Sequence, residues 1–339
     1  MSEQEKRNQV ISKRVGRNVF SAAPKISVVI PAYNAGRFIE ETLNSALDQK
    51  FREHEVILVN DGSPDTRAIE SSIRSRLEDI TYIRQRNLGA GIARNTAIAH
   101  ARGQVIAFLD SDDVWLPDYL ASQYIFMERG SYDMVYCDAA LFGLNSAYRR
   151  TFMETAPSEG EANFESILDL RCNVPTSGTM VRKKIVVNAG LFETERVRSH
   201  DFHLWLRIAK NGARIGYQKK TLLKHRIHLD SLSGDLISRA ERELSAFERV
   251  GNTIQLTDTQ RGIVDRKISR LTADLAVERG KAFLVSGNYR EAAAEFTAAN
   301  HHRRSWKLSA VAMLTRLAPR TLLKFYRTNR RAEIAMLPQ

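Results

Sequence analysis

The stretch GAGIARNTAIAHARGQVIAFLDSDD, residues 89–113, combines a helical pattern, an apolar run and an acidic cluster. In its first half, Ile92, Ala93, Ala97 and Ile98 recur at the spacing of one helix face, which predicts an amphipathic helix. The next run, QVIAFLD, is typical of a short strand that is buried on both faces. A helix that leads into a buried strand is typical of a parallel sheet covered by helices.

The same alternation of strand and helix recurs upstream. A strand is expected over residues 26–30, where Pro31 stops it, and Asn34 is expected to cap the following helix. Two further strands, EVILVN and ITYIRQ, are separated by a helix whose apolar positions span residues 69–77. The sequence therefore predicts an α/β fold, with a mostly parallel, Rossmann-like sheet and helices on both of its faces.

Three polar segments follow the predicted strands. PAYN follows the first strand, NDGSPD the second and DSDD the fourth. In open parallel sheets, ligands bind beyond the carboxyl ends of the strands. We therefore expect all three segments to line one crevice.

The DSDD segment allows two interpretations. Closely spaced carboxylates can share a divalent ion, and hard oxygen ligands suit Mg²⁺ or Mn²⁺. DSDD can equally be a solvated turn before the helix that starts near Pro117. By itself the second interpretation is the stronger one. Asp61 and Asn34, which end neighbouring strands, favour the metal site.

Length and composition limit the possible classes. The 339 residues exceed one usual core, so we expect a solvated arm over 1–24, a main domain over 25–235 and a helical region over 236–339. Two distant cysteines predict no disulfide framework and a reducing compartment. The net charge of +12 favours anionic partners. No nucleic-acid recognition motif accompanies it, so nucleic acid is not an expected partner.

Five blocks carry a resemblance to a known family. They fall in order between residues 25 and 233 and read SVVIPAYNAGRFIEETLNSAL, EVILVNDGSPD, RNLGAGIARNTAIAHARGQVIAFLDSDDVWLPDYL, NAGLFET and HDFHLWLRIAKNG. The chain resembles the family 2 glycosyltransferases of the GT-A fold. The resemblance implies a nucleotide-binding half over 25–115 and an acceptor half over 116–235. It also implies transfer of a sugar from a nucleotide diphosphate to a hydroxyl.

The resemblance implies roles for the acidic turn. Asp112 would be the main ligand of Mn²⁺ or Mg²⁺, Asp110 would contact the nucleotide ribose, and Asp113 would support the site or face the donor sugar. Ser111 of the same turn would belong to the donor site. His228, in KHRIHLDSLS, would complete the metal or diphosphate contacts. A lone histidine can equally be structural.

The base of the donor would be bound by residues at the first two strand ends. By resemblance, Asp61 would accept hydrogen bonds from the base, commonly uracil, and the wall of the pocket would be formed by Pro31, Ala32 and Tyr33. Asn34 would also belong to the donor site. The alternative for Asp61 is an Asx turn before Gly62, and the alternative for Tyr33 is core filling.

Two residues near the next helix would also contact the donor. By resemblance, Arg94 would hold the base or the phosphates, and Asn87 is a weaker candidate. The alternative for Arg94 is a surface salt bridge.

The acceptor hydroxyl needs a proton acceptor, and a carboxylate is the usual one in inverting enzymes. By resemblance, Asp201 is that base; its alternative is a cap of the helix that follows. Family members carry a Glu-Asp pair here, whereas this chain has His200 before Asp201. His200 could support the site or contact the acceptor, and His203 could mark acceptor specificity.

The resemblance is better to single-transfer enzymes than to polymer synthases, because no Gln-X-X-Arg-Trp follows the Asp201 helix. We expect a UDP-sugar donor, a glycan or lipid-linked acceptor and a cytoplasmic enzyme. The rival functions are a noncatalytic scaffold and a sugar-phosphate nucleotidyltransferase. The basic, apolar run after residue 300 has two interpretations: helices packed inward, or helices on an anionic membrane at the inner face of the cell membrane.

Overall fold

Strand β2, Ile26–Ala32, forms the centre of the sheet and is buried along its whole length. It pairs in parallel with β3, His54–Asp61, on one side and with β5, Val105–Phe108, on the other. Strand β4, Thr81–Gln85, adds in parallel to β3. The carboxyl ends of β2 and β5 thus flank the point where the strand order reverses, which is where such sheets bind ligands.

The other half of the sheet is mixed. Strand β8, Thr179–Arg182, runs antiparallel to β5, and β7, Met134–Gly143, runs antiparallel to β8. Strand β9, Ile215–Ile227, is parallel to β7 and carries the short β6, Val114–Trp115, at its outer side. This arrangement brings the end of β9 beside the segment that follows β5.

An edge strand lies where the sequence predicts a solvated arm. Strand β1, Val10–Val15, pairs antiparallel with β4, and the Gly16 amide donates to the Ile80 carbonyl at 2.8 Å. The expectation of an arm over residues 1–24 is therefore wrong for this strand, because sheet hydrogen bonds order a segment that has little apolar content. The computed structural model describes residues 10–16, 23–143, 150–194, 199–228 and 236–326. Within them the strand order is β1-β4-β3-β2-β5-β8-β7-β9-β6.

Helices connect the strands as the alternation predicts. In the described residues of this part of the chain they are α1 Ile39–Leu47, α2 Thr66–Ser72, α3 Ala90–His100, α4 Tyr119–Arg129, α5 Phe152–Thr155, α6 Phe164–Leu168, α7 Lys183–Asn188 and α8 His200–Lys210. Helix α1 buries Ile39, Leu43, Ala46 and Leu47. These side chains join the apolar core that the strands provide, so the α/β class is confirmed.

Element boundaries differ from the predictions near β2. Pro31 lies inside the strand, where its missing N–H is tolerated because the pairing with β5 has ended at Val29. Asn34 does not cap α1. It has a φ of 53°, its amide donates to the Ser63 hydroxyl at 2.7 Å, and the helix begins only at Ile39.

The helix predicted over residues 69–77 divides in two. Helix α2 ends at Ser72, and a 3₁₀ segment, Arg74–Asp79, completes the connection to β4. The apolar spacing is therefore right for Ile69 and Ile73, both of which are fully buried. A tighter turn carries the rest of the segment.

The chain divides into two compact units, Met1–Leu229 and Asp230–Gln339. The described part of the second unit is helical: α9 Leu236–Thr253, α10 Asp258–Ser286, α11 Tyr289–Arg303, α12 Trp306–Leu317 and a further helical segment over 319–326. Gly280 lets α10 approach α11, because a Cβ there would lie 2.8 Å from the Phe296 ring. In the part of the chain that the structure describes, no helix combines the length and the apolar character needed to cross a bilayer.

Candidate active site

The acidic turn follows β5 and is held by hydrogen bonds on both sides. The Asp113 amide donates to the Asp110 carbonyl at 3.2 Å, and the Asp110 amide donates to the Ser177 hydroxyl at 3.0 Å. Thr42 of α1 donates its hydroxyl to the carbonyls of Asp113 at 2.8 Å and Ser111 at 3.1 Å. The turn is therefore fixed by α1 and by the segment before β8, neither of which is close in sequence.

Asp113 is the structural member of the turn. Its side chain is fully buried, and its carboxylate accepts from the Arg226 amide at 2.9 Å and lies 3.1 Å from Nδ1 of His225. Both partners come from β9. Of the two roles expected for Asp113, this geometry favours support of the site over contact with a donor sugar.

Asp112 of the acidic turn and His228, which directly follows β9, lie next to each other. Nε2 of His228 lies 3.1 Å from Oδ2 of Asp112. Burial, followed by the nearby charges of Asp113 and Asp110, raises the pKa of Asp112 despite the lowering contact with His228. The buried Nδ1 of His228 has no hydrogen-bond partner among the described residues. Concentrated negative charge beside an imidazole is a donor set that suits a divalent cation.

These two side chains do not form a complete metal cage. Within the ranges that the structure describes, no three acidic, histidine or cysteine side chains converge closely enough to hold a metal ion. An ion at Asp112 and His228 would therefore need further ligands from another source. Open coordination of this kind is usual where a metal also binds substrate phosphates.

Arg226 positions the acidic turn, a contact that sequence reasoning missed. Its Nε donates to the Asp112 carbonyl at 2.8 Å, and its Nη2 forms an ion pair with Glu41. The guanidinium lies 4.6 Å from the Phe38 ring centre and 4.3 Å from that of Phe142. Only the match of KHRIHLDSLS to the family segment pointed to this residue, and nothing in the sequence pointed to Glu41.

Arg94 of α3 connects the acidic turn to helix α8. It is 5% exposed, which excludes the surface salt bridge considered as its alternative. Its Nη2 pairs with Asp110, and its Nη1 lies 2.6 Å from Nε2 of His200.

Asp201 lies in the first turn of α8, one residue after His200. Its Oδ2 accepts from the Thr176 hydroxyl and its Oδ1 from the Phe202 amide, both at 2.8 Å. Burial opposes ionisation, but His200, the Thr176 hydroxyl and Arg94 lower the pKa of Asp201 below the ordinary carboxyl value. Asp201 is therefore an ionised carboxylate at neutral pH.

Thr176 and Ser177 were also missed by sequence reasoning. They form a 3₁₀ turn before β8, and they contact Asp201 and the Asp110 amide respectively. The surrounding NVPTSG reads only as a loop before a strand, so it gave no signal. Through these two hydroxyls, one short segment contacts both Asp201 and the acidic turn at Asp110.

Asp61 ends β3 and is nearly fully buried. Its carboxylate accepts from Nε2 of Gln85 at 2.7 Å and from the amides of Leu88 and Gly89 at 2.9 and 2.7 Å. The Asx-turn alternative is wrong for Asp61, because Oδ1 of Asn60 accepts from the Ser63 amide at 3.0 Å instead. Asp61 thus fixes the loop that leads into α3.

The loop around Asn87 approaches the end of β3 closely. Gly62 has a φ of 63°, and a Cβ there would lie 2.5 Å from the Asn87 amide nitrogen. Only glycine satisfies both conditions without a shift of the backbone. Asn87 is itself partly exposed on this rim.

The residues after β2 divide into a buried and an exposed pair. Pro31 and Ala32 are buried, whereas Tyr33 is 51% exposed and Asn34 is exposed as well. The core-filling alternative for Tyr33 is therefore wrong. Its ring is accessible at the carboxyl end of the central strand.

The other residues named from the sequence fall elsewhere. His203 is 3% exposed, and its Nδ1 lies 3.2 Å from Oε1 of Glu193, so its side chain faces inward from α8. Ser231 and Ser233, which match the family segment after His228, lie outside the described residues.

Comparisons with known proteins show similarity to glycosyltransferases. Residues 27–187 match the sequence model described as glycosyl transferase family 2. One relative is WfaP of Escherichia coli, a UDP-Glc:alpha-D-GlcNAc-diphosphoundecaprenol beta-1,3-glucosyltransferase. It is 28% identical over 229 residues, which cover 67% of this chain and 86% of WfaP.

Solved structures show the same fold. Mannosyltransferase PcManGT from Pyrobaculum calidifontis, solved with GDP-Man and Mn²⁺, aligns with a TM-score of 0.59 at 20% identity over 91% of this chain and 83% of PcManGT. TarS residues 1–349 of S. aureus, solved with UDP-GlcNAc, aligns with a TM-score of 0.58 at 19% identity, over 90% and 92%.

The solved structures show that the fold is that of the GT-A glycosyltransferases. Residues 27–187, just under half of the chain, match glycosyl transferase family 2, which supports the resemblance seen in the sequence.

Proposed function

We propose that this enzyme transfers a single hexose from a nucleotide-diphosphate sugar to a hydroxyl of a lipid-linked glycan, with inversion and with a divalent metal. The observation that carries the proposal is the chain of contacts through Arg94. This guanidinium contacts Asp110 on one side and His200, the neighbour of Asp201, on the other. Arg94 thus joins the turn that carries Asp110 to the start of the helix that carries Asp201, which would fix the donor and the proton acceptor relative to each other.

In this proposal the donor lies at the ends of β2, β3 and β5. Asp61 accepts from the base, with Asn87 close by, and Asp110 contacts the ribose. The base packs on Pro31, Ala32, Asn34 and the exposed Tyr33 ring, while Arg94 and Ser111 face the phosphates. A uracil imide N–H suits a carboxylate acceptor, and the relative WfaP uses UDP-Glc, so we propose a UDP-sugar.

The same proposal assigns the metal to Asp112 and His228. The residues fit a divalent ion because burial, followed by the like charges of Asp113 and Asp110, raises the pKa of Asp112, and Nδ1 of His228 is buried without a partner among the described residues. Mn²⁺ or Mg²⁺, when bound, neutralises charge that develops on the leaving diphosphate. Asp113 and Arg226 orient the turn that presents Asp112.

Asp201 accepts the proton of the acceptor hydroxyl. The acceptor oxygen forms a bond to the anomeric carbon as the bond from that carbon to the diphosphate oxygen breaks. The hydroxyl proton moves to Asp201, and the nucleoside diphosphate leaves. A single displacement of this kind inverts the anomeric configuration. The lowered pKa of Asp201 keeps its carboxylate ionised, so that it can take up the proton.

The two halves of the main domain have different roles in this proposal. We propose that residues 25–115 bind the nucleotide and that residues 116–235, which include Thr176 and Asp201, bind the acceptor. A lipid-linked acceptor, such as the diphosphoundecaprenol substrate in the name of WfaP, places the reaction at the inner face of the cell membrane. The product would serve surface polysaccharide synthesis.

A panel of nucleotide sugars tests this function. The thermal stability of the full chain is measured with UDP-, GDP- and dTDP-sugars, each with Mn²⁺ or with EDTA. We expect a UDP-sugar to raise the melting temperature most, and only with Mn²⁺. If no nucleotide shifts the melting temperature in Mn²⁺, the noncatalytic scaffold becomes the better interpretation. A response to a nucleoside triphosphate with a sugar phosphate would indicate a nucleotidyltransferase.

A further inference from the structure

Helix α12 packs inward through small side chains. Ala312 and Thr315 are buried, and the Thr315 hydroxyl is satisfied by the Val311 carbonyl at 2.7 Å. Val311 packs on a cluster that contains Ala292 and Phe296 of α11. The buried side chains of α12 are therefore small ones.

Large apolar side chains of α12 point outward. Trp306, Met313 and Leu317 are 77%, 56% and 75% exposed. Their spacings of seven and four residues place them on one face of the helix. Phe325, on the helical segment 319–326, is 64% exposed as well. We call Trp306, Met313 and Leu317 the outer stripe; grouped exposure of this kind marks an interaction surface.

The outer stripe lies in a strongly basic segment. Residues 301–326 contain six Arg or Lys and no Asp or Glu. On the wheel of α12, Lys307 and Arg316 fall on opposite sides of the stripe. Arg316 contacts the neutral Thr297 hydroxyl at 3.3 Å, which leaves its charge uncompensated by that partner. Arg320 and Lys324 flank Phe325 and are both exposed.

We propose that the outer stripe and its flanking cations dock on an anionic phospholipid bilayer, with α12 lying in the interface. A bilayer supplies both partners at once, because acyl chains cover the apolar side chains and headgroup phosphates meet the cations. The long stems of Lys and Arg let the charges stay at headgroup level while the stripe inserts. A second copy of this chain, which carries a net charge of +12, would present the same positive surface and be repelled.

This surface deepens the proposed function, since it would hold the enzyme where a lipid-linked acceptor lies. Its test needs neither donor nor metal, so docking and transfer can fail independently. The full chain is sedimented with sucrose-loaded vesicles at physiological salt. One set contains phosphatidylcholine alone, and the other contains phosphatidylcholine with phosphatidylglycerol. We expect binding to the anionic set only, with a blue shift of tryptophan emission as Trp306 enters the interface.

Matched variants distinguish the effect of the outer stripe on vesicle binding from the effect of changing any exposed side chain. M313Q/L317Q should weaken vesicle binding at least about 10-fold, because two apolar side chains no longer insert. K307Q/R320Q should weaken it ~30-fold, at about 1 kcal/mol per cation. The control V187Q/V285Q changes two exposed valines outside the stripe, and K219Q/K220Q removes two exposed charges elsewhere. Both controls should bind as the wild type does.

Several results would overturn the proposal. These are absence of wild-type binding to anionic vesicles, equal binding to neutral vesicles, or controls that weaken binding as much as the stripe variants. A concentration-dependent dimer that M313Q/L317Q abolishes would assign the stripe to a second copy instead. All variants should keep the melting temperature of the wild type without ligand, which shows that they fold.

Discussion

Asp112 and Asp201 are two half-buried carboxylates of one site in opposite electrostatic environments. Burial and the like charges of Asp113 and Asp110 raise the pKa of Asp112. For Asp201, burial acts in the same direction, but His200, Thr176 and Arg94 reverse it and lower the pKa. When the pKa values of two carboxyl groups in one site are shifted in opposite directions, the chemical roles of the two groups usually differ. Burial and like charges thus disfavour the ionised form of Asp112, whereas the neighbours of Asp201 favour its ionised form. In the proposed function, a cation would relieve the charge on Asp112, and Asp201 would accept the proton.

The largest expected effect is that of a substitution at Asp201. Asp201→Asn should lower the transfer rate about 10²- to 10⁴-fold, the usual contribution of a general base. Donor affinity should stay unchanged, because Asp201 contacts Thr176 and Phe202 and no donor-binding residue. Turnover is measured by release of UDP to an acceptor, and donor affinity by calorimetry.

The matched control for this variant is Asp118→Asn, which removes an exposed carboxylate paired with Lys50. It should behave as the wild type does. Wild-type turnover in Asp201→Asn would remove this residue as the base and leave only its contact with Thr176.

The next largest effect is expected from a substitution at Asp112. Asp112→Asn should abolish the Mn²⁺-dependent shift in melting temperature and weaken Mn²⁺ binding at least about 100-fold, because a neutral amide is a far poorer ligand than a carboxylate. Paramagnetic resonance of free Mn²⁺ measures the affinity. Unchanged Mn²⁺ affinity would show that the metal, if the enzyme needs one, binds elsewhere.

A smaller effect is expected at the residue that joins the two regions. His200→Ala should lower kcat/KM for the donor ~10-fold, because loss of one acceptor for Arg94 costs ~1.4 kcal/mol. His200→Gln should recover most of this, since its amide oxygen can accept from Arg94. If alanine and glutamine variants lose the same activity, the contact with Arg94 does not explain the effect.

The smallest effect is on stability and depends on pH. A carboxyl whose folded pKa lies above its ordinary value of 3.8 contributes stability below that value and loses it as pH rises through the folded pKa. In EDTA at pH 7, Asp112→Asn should therefore be more stable than the wild type, and the difference should vanish as the pH falls toward 4. Urea denaturation at both pH values measures it. A variant that is less stable at pH 7 would contradict the raised pKa.

The sequence was sufficient to place Asp61 and the DSDD turn at one edge of the sheet. They lie at the ends of two parallel strands that flank β2, and the carboxyl ends of parallel strands share one edge, so this placement follows from topology. The contacts of Arg226 could not be foreseen in the same way. They depend on the register of the long strand β9 beside the acidic turn, and no local pattern specifies that register.

The second unit shows a different limit. Helix α12 has apolar residues on two faces, Val311 and Ala312 on one and Trp306, Met313 and Leu317 on the other. Periodicity cannot decide which face is packed, because both satisfy the same spacing. Contact with α11 decides it: the small side chains fit against Phe296 and leave the large ones outside.

The sequence by itself determined the alternation of helices and buried strands, the resemblance to a family and the edge of the sheet where the carboxylates lie. Those properties are encoded in residues that are near in the chain. Only the tertiary structure decided that Asp113 is a buried support, that Arg94 joins Asp110 to His200, and that Thr176 faces Asp201. Each of these depends on segments far apart in sequence, and the environment that sets the pKa of a carboxylate exists only once those segments have packed together.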